Sequence, residues 1–223
     1  MQRQEILERY RHLRAISARY HNAALGRLAR PTILEHAKHL GLAYGQALWA
    51  ESDEEMTLIF DLAIHTAKPG RTRAIDRYTK AEKASAEPEE ADVLEAMRQA
   101  RFSLWRIERR HEITGVIVAD LLRDNETWLV DEGLTNTARP GLTFASRLCW
   151  PADFAITCGV VVPVDAELME DILLDSAAWL RHAELDRLDK VAEDPRLAKA
   201  IYRAALDAGI MDHMSFEKPA TCA

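Results

Sequence analysis

The stretch LTFASRLCWPADFAITCGVVVP, residues 142–163, decides the fold class. Two runs rich in apolar, β-branched and aromatic residues, with a period of two, flank a turn at Pro151–Asp153, and this is typical of a β-hairpin. With the turn at these three residues, Phe144 shares a face with Cys158, whereas Cys149 points to the opposite face. We therefore predict an antiparallel hairpin in which Cys149 and Cys158 are not bonded.

Further strands precede this hairpin, and helices lie on both sides of the strands in the sequence. The five strand candidates are residues 102–109, 112–122, 126–131, 142–150 and 154–163. Short turns separate them, so we predict a small five-stranded antiparallel β meander that can curl into a barrel-like shape. Together with the helical periodicity elsewhere, this predicts an α+β fold with a helical N-terminal half and a helical C-terminal arm.

The helical half is read from apolar spacing and from helix start and stop signals. The predicted helices cover residues 5–30, 31–49, 52–67, 73–83 and 89–101. Ser52 and Glu55 form an S-x-x-E capping box at the start of the third helix, which is apolar nearly all round and is predicted to be buried. In the C-terminal arm, Leu168 to Leu185 and Leu197 to Leu206 predict two more helices, and the tail from Met211 is expected to fray.

This pattern divides the chain into three regions. We expect a helical N-terminal region over residues 1–101, a small antiparallel β-domain over 102–164, and a helical C-terminal arm over 165–223. The arm can share one core with the N-terminal helices.

Composition excludes several classes of protein. The 223 residues are 48% hydrophobic and 29% charged, which is ordinary for a globular protein and excludes extensive disorder. Only 9 glycines and 8 prolines interrupt the chain, so an all-β protein is not expected. No apolar run approaches the roughly 20 residues of a membrane span, and the N-terminus lacks a signal-peptide pattern. Cys149, Cys158 and Cys222 are three cysteines without C-x-x-C spacing, which indicates a soluble cytoplasmic protein in a reducing compartment.

Charge is distributed unevenly along the chain. The net charge is −7, yet residues 1–31 carry a net +5 and residues 165–194 a net −7. Such polarity suits packing of the two ends within one molecule, a homodimer, or a partner of opposite charge, and formal charge does not choose among the three.

Residues 60–172 resemble the central region of bacterial proteins that carry a C-terminal SEC-C motif. The matching features are Phe60-Asp61, Gly70-Arg71-Thr72, Leu94 to Met97, Ser103-Leu104-Trp105, Asp120-Leu121-Leu122, Trp128 to Asp131, Pro140-Gly141, Arg147-Leu148 and Pro163. The resemblance implies a small β-domain between helices and a largely undefined molecular role. This sequence lacks the cysteine-rich zinc segment of that family, because Cys222 alone cannot replace it, and any zinc-dependent function is thus in doubt.

Histidines and carboxylates of the N-terminal half form the best candidate metal site. Glu35 and His39, like Asp61 and His65, are four apart on a helix and project to one side, where they can share a divalent ion, with His36 completing the set. Asp61 and His65 occupy the polar gap of the buried third helix, so the preferred interpretation is that they hydrogen-bond each other, with a metal or catalytic role as the alternative. The spacing matches neither the HExxH motif nor the paired ExxH motifs of di-iron bundles.

Arginines of the first helix are the candidate nucleic-acid contacts. Arg9, Arg11, Arg14 and Arg19 can follow a phosphate backbone, and tryptophans of the β-region can stack on bases. Acidic residues around the central hairpin and the negative net charge oppose that function, and a solvated arginine face is the preferred interpretation.

The sequence contains no G-x-S-x-G elbow, P-loop, G-x-G-x-x-G or kinase motif. We therefore expect a non-catalytic protein-interaction or adaptor module, with a protein partner or a second copy of the chain and no membrane contact. The alternatives are a metal-dependent enzyme or metal-binding protein built on His36, His39, Asp61 and His65, and a nucleic-acid-binding module. No cofactor is predicted, although a divalent metal is compatible with the histidine group.

Overall fold

A computed structural model of the chain describes residues 2–68, 70–175 and 188–210, and places helices around a five-stranded antiparallel sheet. The helices of this part are α1 (Arg3–Leu25), α2 (Arg30–Leu40), α3 (Asp53–His65), α4 (Ala74–Glu82), α5 (Pro88–Arg98), α6 (Glu132–Thr137), α7 (Ala166–Asp175), α8 (Leu188–Glu193) and α9 (Pro195–Asp207). The strands are β1 (Ala43–Tyr44), β2 (Ala47–Leu48), β3 (Arg101–Arg110), β4 (Val116–Asp120), β5 (Asn125–Leu129), β6 (Thr143–Cys149) and β7 (Ile156–Pro163). The predicted α+β class is confirmed.

The order of the strands differs from that of a simple meander. It is β5-β4-β3-β6-β7, so that β3 lies in the middle and pairs with both β4 and β6. After β5 the chain passes through α6 and returns to lie beside β3, which is the strand order of a Greek key. The edge strands meet at one isolated parallel bridge, Leu129 to Ala155, and the sheet does not close into a continuous barrel.

Cys149 and Cys158 are free thiols, as predicted, but the register of the β6–β7 hairpin corrects the predicted faces of their side chains. Cys149 pairs with Ile156, where a three-residue turn would have paired Cys149 with Ala155. A slip of one residue turns every side chain of a strand to the other face. Cys149 and Cys158 are therefore buried in the same cluster, and a hydrogen bond from the Cys149 thiol to Cys158, together with burial, raises the pKa of Cys149 well above its usual value.

The second predicted helix is too long. It ends at Leu40 because Gly41 adopts φ +78°, a left-handed conformation that glycine accepts readily. The chain then forms the short β1–β2 hairpin, on which Tyr44 is 76% and Trp49 61% exposed. We call residues 43–49 the aromatic hairpin.

The third predicted helix forms as expected. The Ser52 hydroxyl accepts a hydrogen bond from the Glu55 amide at 3.1 Å, and the Glu55 carboxylate reaches back to the Ser52 amide, which completes the capping box. Asp61 and His65 are both buried on this helix, at 2% and 4% exposure. Helix α3 thus brings two polar side chains into the interior.

Three apolar clusters hold the elements together. The largest contains residues of helices α2, α3, α7, α8 and α9 and of strands β3, β6 and β7. All three sequence regions therefore contribute to it. A second cluster packs α1, α4 and α5 against Cys149, Ile156 and Cys158. The third lies within the curled sheet around Trp105 and Phe144. The β-sheet is covered by apolar contacts on both faces.

Parts of the predicted C-terminal arm lie outside the described residues. Helix α7 is described to Asp175 and α8 begins at Leu188, whereas the predicted segment between them, the tail from Met211 and Cys222 are not described. None of the helices in the described ranges is both long and apolar enough to cross a membrane.

Candidate functional site: an arginine-lined cleft

A buried charged network joins three distant segments of the chain. Arg147 of β6 donates from Nε and Nη2 to the two Asp61 oxygens of α3, at 2.9 and 3.0 Å, and the Tyr202 hydroxyl of α9 donates to Asp61 Oδ2 at 3.0 Å. Gly159 on β7 makes this approach possible, because a Cβ there would lie 2.9 Å from Asp61 Oδ1. The network ties α3, β6 and α9 together at the base of a cavity.

The network also fixes the protonation of its members. Burial works against the charged form of Arg147, but the nearby charge and hydrogen bonds of Asp61 raise the pKa of its guanidinium above the ordinary value. Burial, reinforced by the charge of Asp61, raises the pKa of the Tyr202 phenol well above its usual range. Arg147 is therefore a permanent cation and Tyr202 a neutral donor.

A cavity of about 760 Å³ lies beside this network. Its wall is formed by the end of α3 and the following loop, the start of β3, the β4–β5 turn, and the α8–α9 connection. Six basic side chains border it: Lys68, Arg71, Arg73, Arg101, Arg123 and Arg147. We call this cavity the arginine cleft.

Three arginines of the cleft are each held by a carboxylate outside it. Arg73 forms a two-point contact with Asp76 at 2.8 and 2.7 Å, and also donates to the Arg98 carbonyl. Arg123 donates to the buried Asp120 at 3.1 Å. Arg147 is fixed by Asp61, as described above. Paired guanidinium groups keep a defined position, so the three cations border the same space in fixed geometry.

Each of these three arginines keeps donors for another partner. Within the described part of the chain, the Nη1 groups of Arg73 and Arg147, and the Nε and Nη2 groups of Arg123, make no hydrogen bond. Lys68 is paired with Glu35 at 2.9 Å, and Arg101 lies over the Trp150 ring. The cleft therefore offers unused N–H groups on positions that are already ordered.

Acidic residues line the part of the cleft that α8 and the start of α9 form. Asp189 and Glu193 are exposed residues four apart on α8, and Asp194 caps α9. Asp194 is hydrogen-bonded to Arg196, whereas no hydrogen bond to Asp189 or Glu193 is found within the described ranges. The cleft thus has a cationic wall and an acidic wall.

His65 borders the cleft and departs from the prediction. The expected hydrogen bond with Asp61 is wrong, because Asp61 is occupied by Arg147 and Tyr202 and neither ring nitrogen of His65 has a hydrogen-bond partner in the described structure. The His65 ring instead packs edge-on against His21, with ring centroids 5.6 Å apart. Burial lowers the pKa of His65 well below its usual value and that of His21 to about 4, so both rings are neutral near pH 7.

The predicted metal ligands are not brought together. His36 and His39 lie against each other with centroids 6.1 Å apart, Glu35 pairs with Lys68, and Asp61 is held by Arg147. In the described ranges, no three histidine, cysteine, aspartate or glutamate side chains are arranged to hold a metal ion.

The four arginines of α1 that were predicted to contact nucleic acid face protein groups. Arg9 and Arg19 pair with Glu89 and Glu90 of α5, Arg11 pairs with Glu132 at 2.6 Å, and Arg14 donates to the Thr157 carbonyl at 2.7 Å. Three of these four arginines are therefore paired with carboxylates of α5 and α6 in the described part of the chain.

Sequence reasoning missed the arginines of the cleft. The signal at Arg147 was present, since a charged residue inside an apolar strand requires a buried partner. Arg73 and Arg123 lie in or beside loops, where nothing local distinguishes them from solvated surface charges.

Comparison with known proteins adds a family and no function. No curated protein and no solved structure matches the chain. One family's sequence model matches residues 4–210, which include every residue of the cleft. The chain belongs to DUF7986, a family of unknown function.

Proposed function

We propose that this chain is a binding protein whose site is the arginine cleft and whose ligand presents a phosphate group. The observation that carries the proposal is the set of three arginines, each fixed by its own carboxylate, around one cavity. A planar guanidinium group can donate two parallel hydrogen bonds to two oxygens of one phosphate group. A single unpaired arginine on a surface would not indicate a phosphate site.

Preorganisation is the physical reason for expecting affinity at this place. An unpaired arginine loses side-chain freedom when it binds, at a cost of up to about 2 kcal/mol. Asp61, Asp76 and Asp120 have already restricted the three cleft arginines, so much of that cost is met during folding. The carboxylates reduce the net field, but their hydrogen bonds use only part of each guanidinium.

Pyrophosphate is a suitable first probe. We expect the melting temperature of the full chain to rise as the pyrophosphate concentration increases above its Kd, and binding to weaken as salt screens the arginines. Arg123→Gln should weaken the measured affinity at least tenfold. Arg109→Gln is the matched control, because Arg109 is an exposed strand residue that pairs with Glu126 and does not line the cleft. Absence of binding by pyrophosphate and by simple phosphate compounds at millimolar concentration, or an equal loss in both variants, would refute the proposal.

A protein-interaction role is the second candidate, and the aromatic hairpin favours it. Tyr44, Leu48 and Trp49 are large apolar side chains that remain exposed at 76%, 39% and 61%. Aromatic residues of this kind are enriched at the centres of protein interfaces. Replacing Tyr44 and Trp49 together by serine should abolish association with a partner or a second copy without changing pyrophosphate affinity. Sedimentation and pull-down measurements on both forms would test this.

The remaining two candidates have less support. A metal centre on His36, His39, Asp61 and His65 would require Asp61 to leave Arg147, and nucleic-acid binding by Arg9, Arg11, Arg14 and Arg19 would compete with their contacts to protein groups.

A further inference from the structure

We infer that the ligand of the arginine cleft is a phosphate ester of a polyhydroxylated small molecule, such as a sugar phosphate, with its hydroxyl groups on the acidic wall. This inference rests on the proposed function, and it names the class of molecule that the same site takes. Three features of the cleft support it: its size, the opposite charges of the two groups of residues that line it, and the spacing of the carboxylates.

The size of the cleft exceeds that of an inorganic anion. Small-molecule sites commonly measure 300–1,000 Å³, and the cleft, at about 760 Å³, lies within this range. A phosphate group held by Arg73, Arg123 and Arg147 would fill only part of the space. The remainder is bordered by the small apolar side chains of Ala100 and Ala198, which can lie against the carbon skeleton of a ligand.

The acidic wall restricts what the rest of the ligand can be. Asp189 and Glu193 would repel a second anionic group, so the part of the ligand near them has to present hydrogen-bond donors. Hydroxyl groups and ammonium groups both satisfy this requirement. A carboxylate accepts strong hydrogen bonds from either of them.

The spacing of the carboxylates favours hydroxyl groups. Asp189 and Glu193 are one helical turn apart, which places their Cβ atoms about 5–6 Å from each other. A polyol carries several donors along its length and can reach both carboxylates at once, whereas one ammonium is a single point charge. His65 adds a buried, neutral imidazole at the cationic end, with two ring nitrogens that lack partners in the described structure.

The experiment compares inorganic phosphate, ribose 5-phosphate and O-phosphoethanolamine by calorimetric titration of the full chain. We expect ribose 5-phosphate to bind at least tenfold more tightly than inorganic phosphate. In a double variant, Asp189→Ala with Glu193→Ala, this advantage should disappear, while the affinity for inorganic phosphate stays the same or increases because two negative charges are gone. Both side chains are exposed on a helix, where alanine is well tolerated.

Different outcomes separate the two levels of the proposal. If ribose 5-phosphate and inorganic phosphate bind equally, or if the advantage survives in the double variant, the polyol inference is overturned and phosphate binding stands. A preference for O-phosphoethanolamine that the double variant removes would also overturn the polyol, in favour of an ammonium group. If none of the three probes binds, and pyrophosphate does not bind either, the proposed function fails as well.

Discussion

Removal of the Asp61 carboxylate should destabilise the fold far more than the loss of an ordinary ion pair. Asp61→Ala leaves the guanidinium of Arg147 without its counter-charge at 5% exposure and deprives the Tyr202 hydroxyl of its acceptor. Breaking a buried pair from one side typically costs about 3–5 kcal/mol, and an orphaned hydroxyl adds about 1 kcal/mol. We expect a loss of about 4–6 kcal/mol in the free energy of unfolding, a large share of the roughly 5–15 kcal/mol of a typical domain.

Urea denaturation followed by tryptophan fluorescence measures this loss, and two further variants serve as controls. Glu126→Gln breaks the Arg109–Glu126 pair, whose side chains are 59% and 51% exposed, and should cost less than about 0.5 kcal/mol. The double variant Asp61→Leu with Arg147→Met replaces the buried pair by apolar groups and should recover most of the stability. A cost for Asp61→Ala no greater than that for Glu126→Gln, or a double variant as unstable as the single one, would refute the reasoning.

Three other changes have expected outcomes. Gly115→Ala should lower the free energy of unfolding, measured by urea denaturation, by at least about 2 kcal/mol more than Gly141→Ala does. Both glycines have positive φ, but of the two only Gly115 would bring a Cβ against a backbone oxygen, that of Leu129 at 2.3 Å. Burial lowers the pKa of folded His21 to about 4, whereas His21 of the unfolded chain binds a proton below a pH of about 6.5. The free energy of unfolding should therefore fall by up to about 3 kcal/mol as the pH falls from about 6.5 to about 4, and His21→Gln should flatten that part of the pH profile. Ser52→Ala removes the cap of α3 and should lower the midpoint of urea unfolding by the equivalent of about 1 kcal/mol; an unchanged midpoint would contradict the role of the cap.

Local signals in the sequence predicted the parts of the fold that local chemistry determines. The capping box at Ser52, the buried character of α3 and the turn near Asp124 all depend on residues a few positions apart. Strand pairing is different, because the hairpin register depends on how many residues the turn occupies. An error of one residue there reversed the faces of Cys149 and Cys158.

The candidate site was predicted only in part for a similar reason. Asp61 and His65 stood out as polar residues on an apolar helix, and the structure buries both. Their neighbours along the helix suggested a mutual hydrogen bond, whereas the actual partners of Asp61 are 86 and 141 residues away in sequence. Partners at such distances follow from the whole fold and leave no periodic pattern near Asp61. The resemblance of residues 60–172 to SEC-C-motif proteins stays a prediction, because membership of DUF7986 does not test it.

The long reach of the Asp61 network has a consequence for the synthesis of the chain. At about 5–20 residues per second, a ribosome needs roughly 7–28 s to pass from Asp61 to Tyr202, 141 residues later. During that interval, the apolar faces of α2 and α3 that pack with α9 are not yet covered by it, and Asp61 lacks its hydrogen bond from Tyr202. Chaperones that shield apolar surface on nascent chains would bind at α2 and α3, and the packing of α9 against these helices would displace the chaperones.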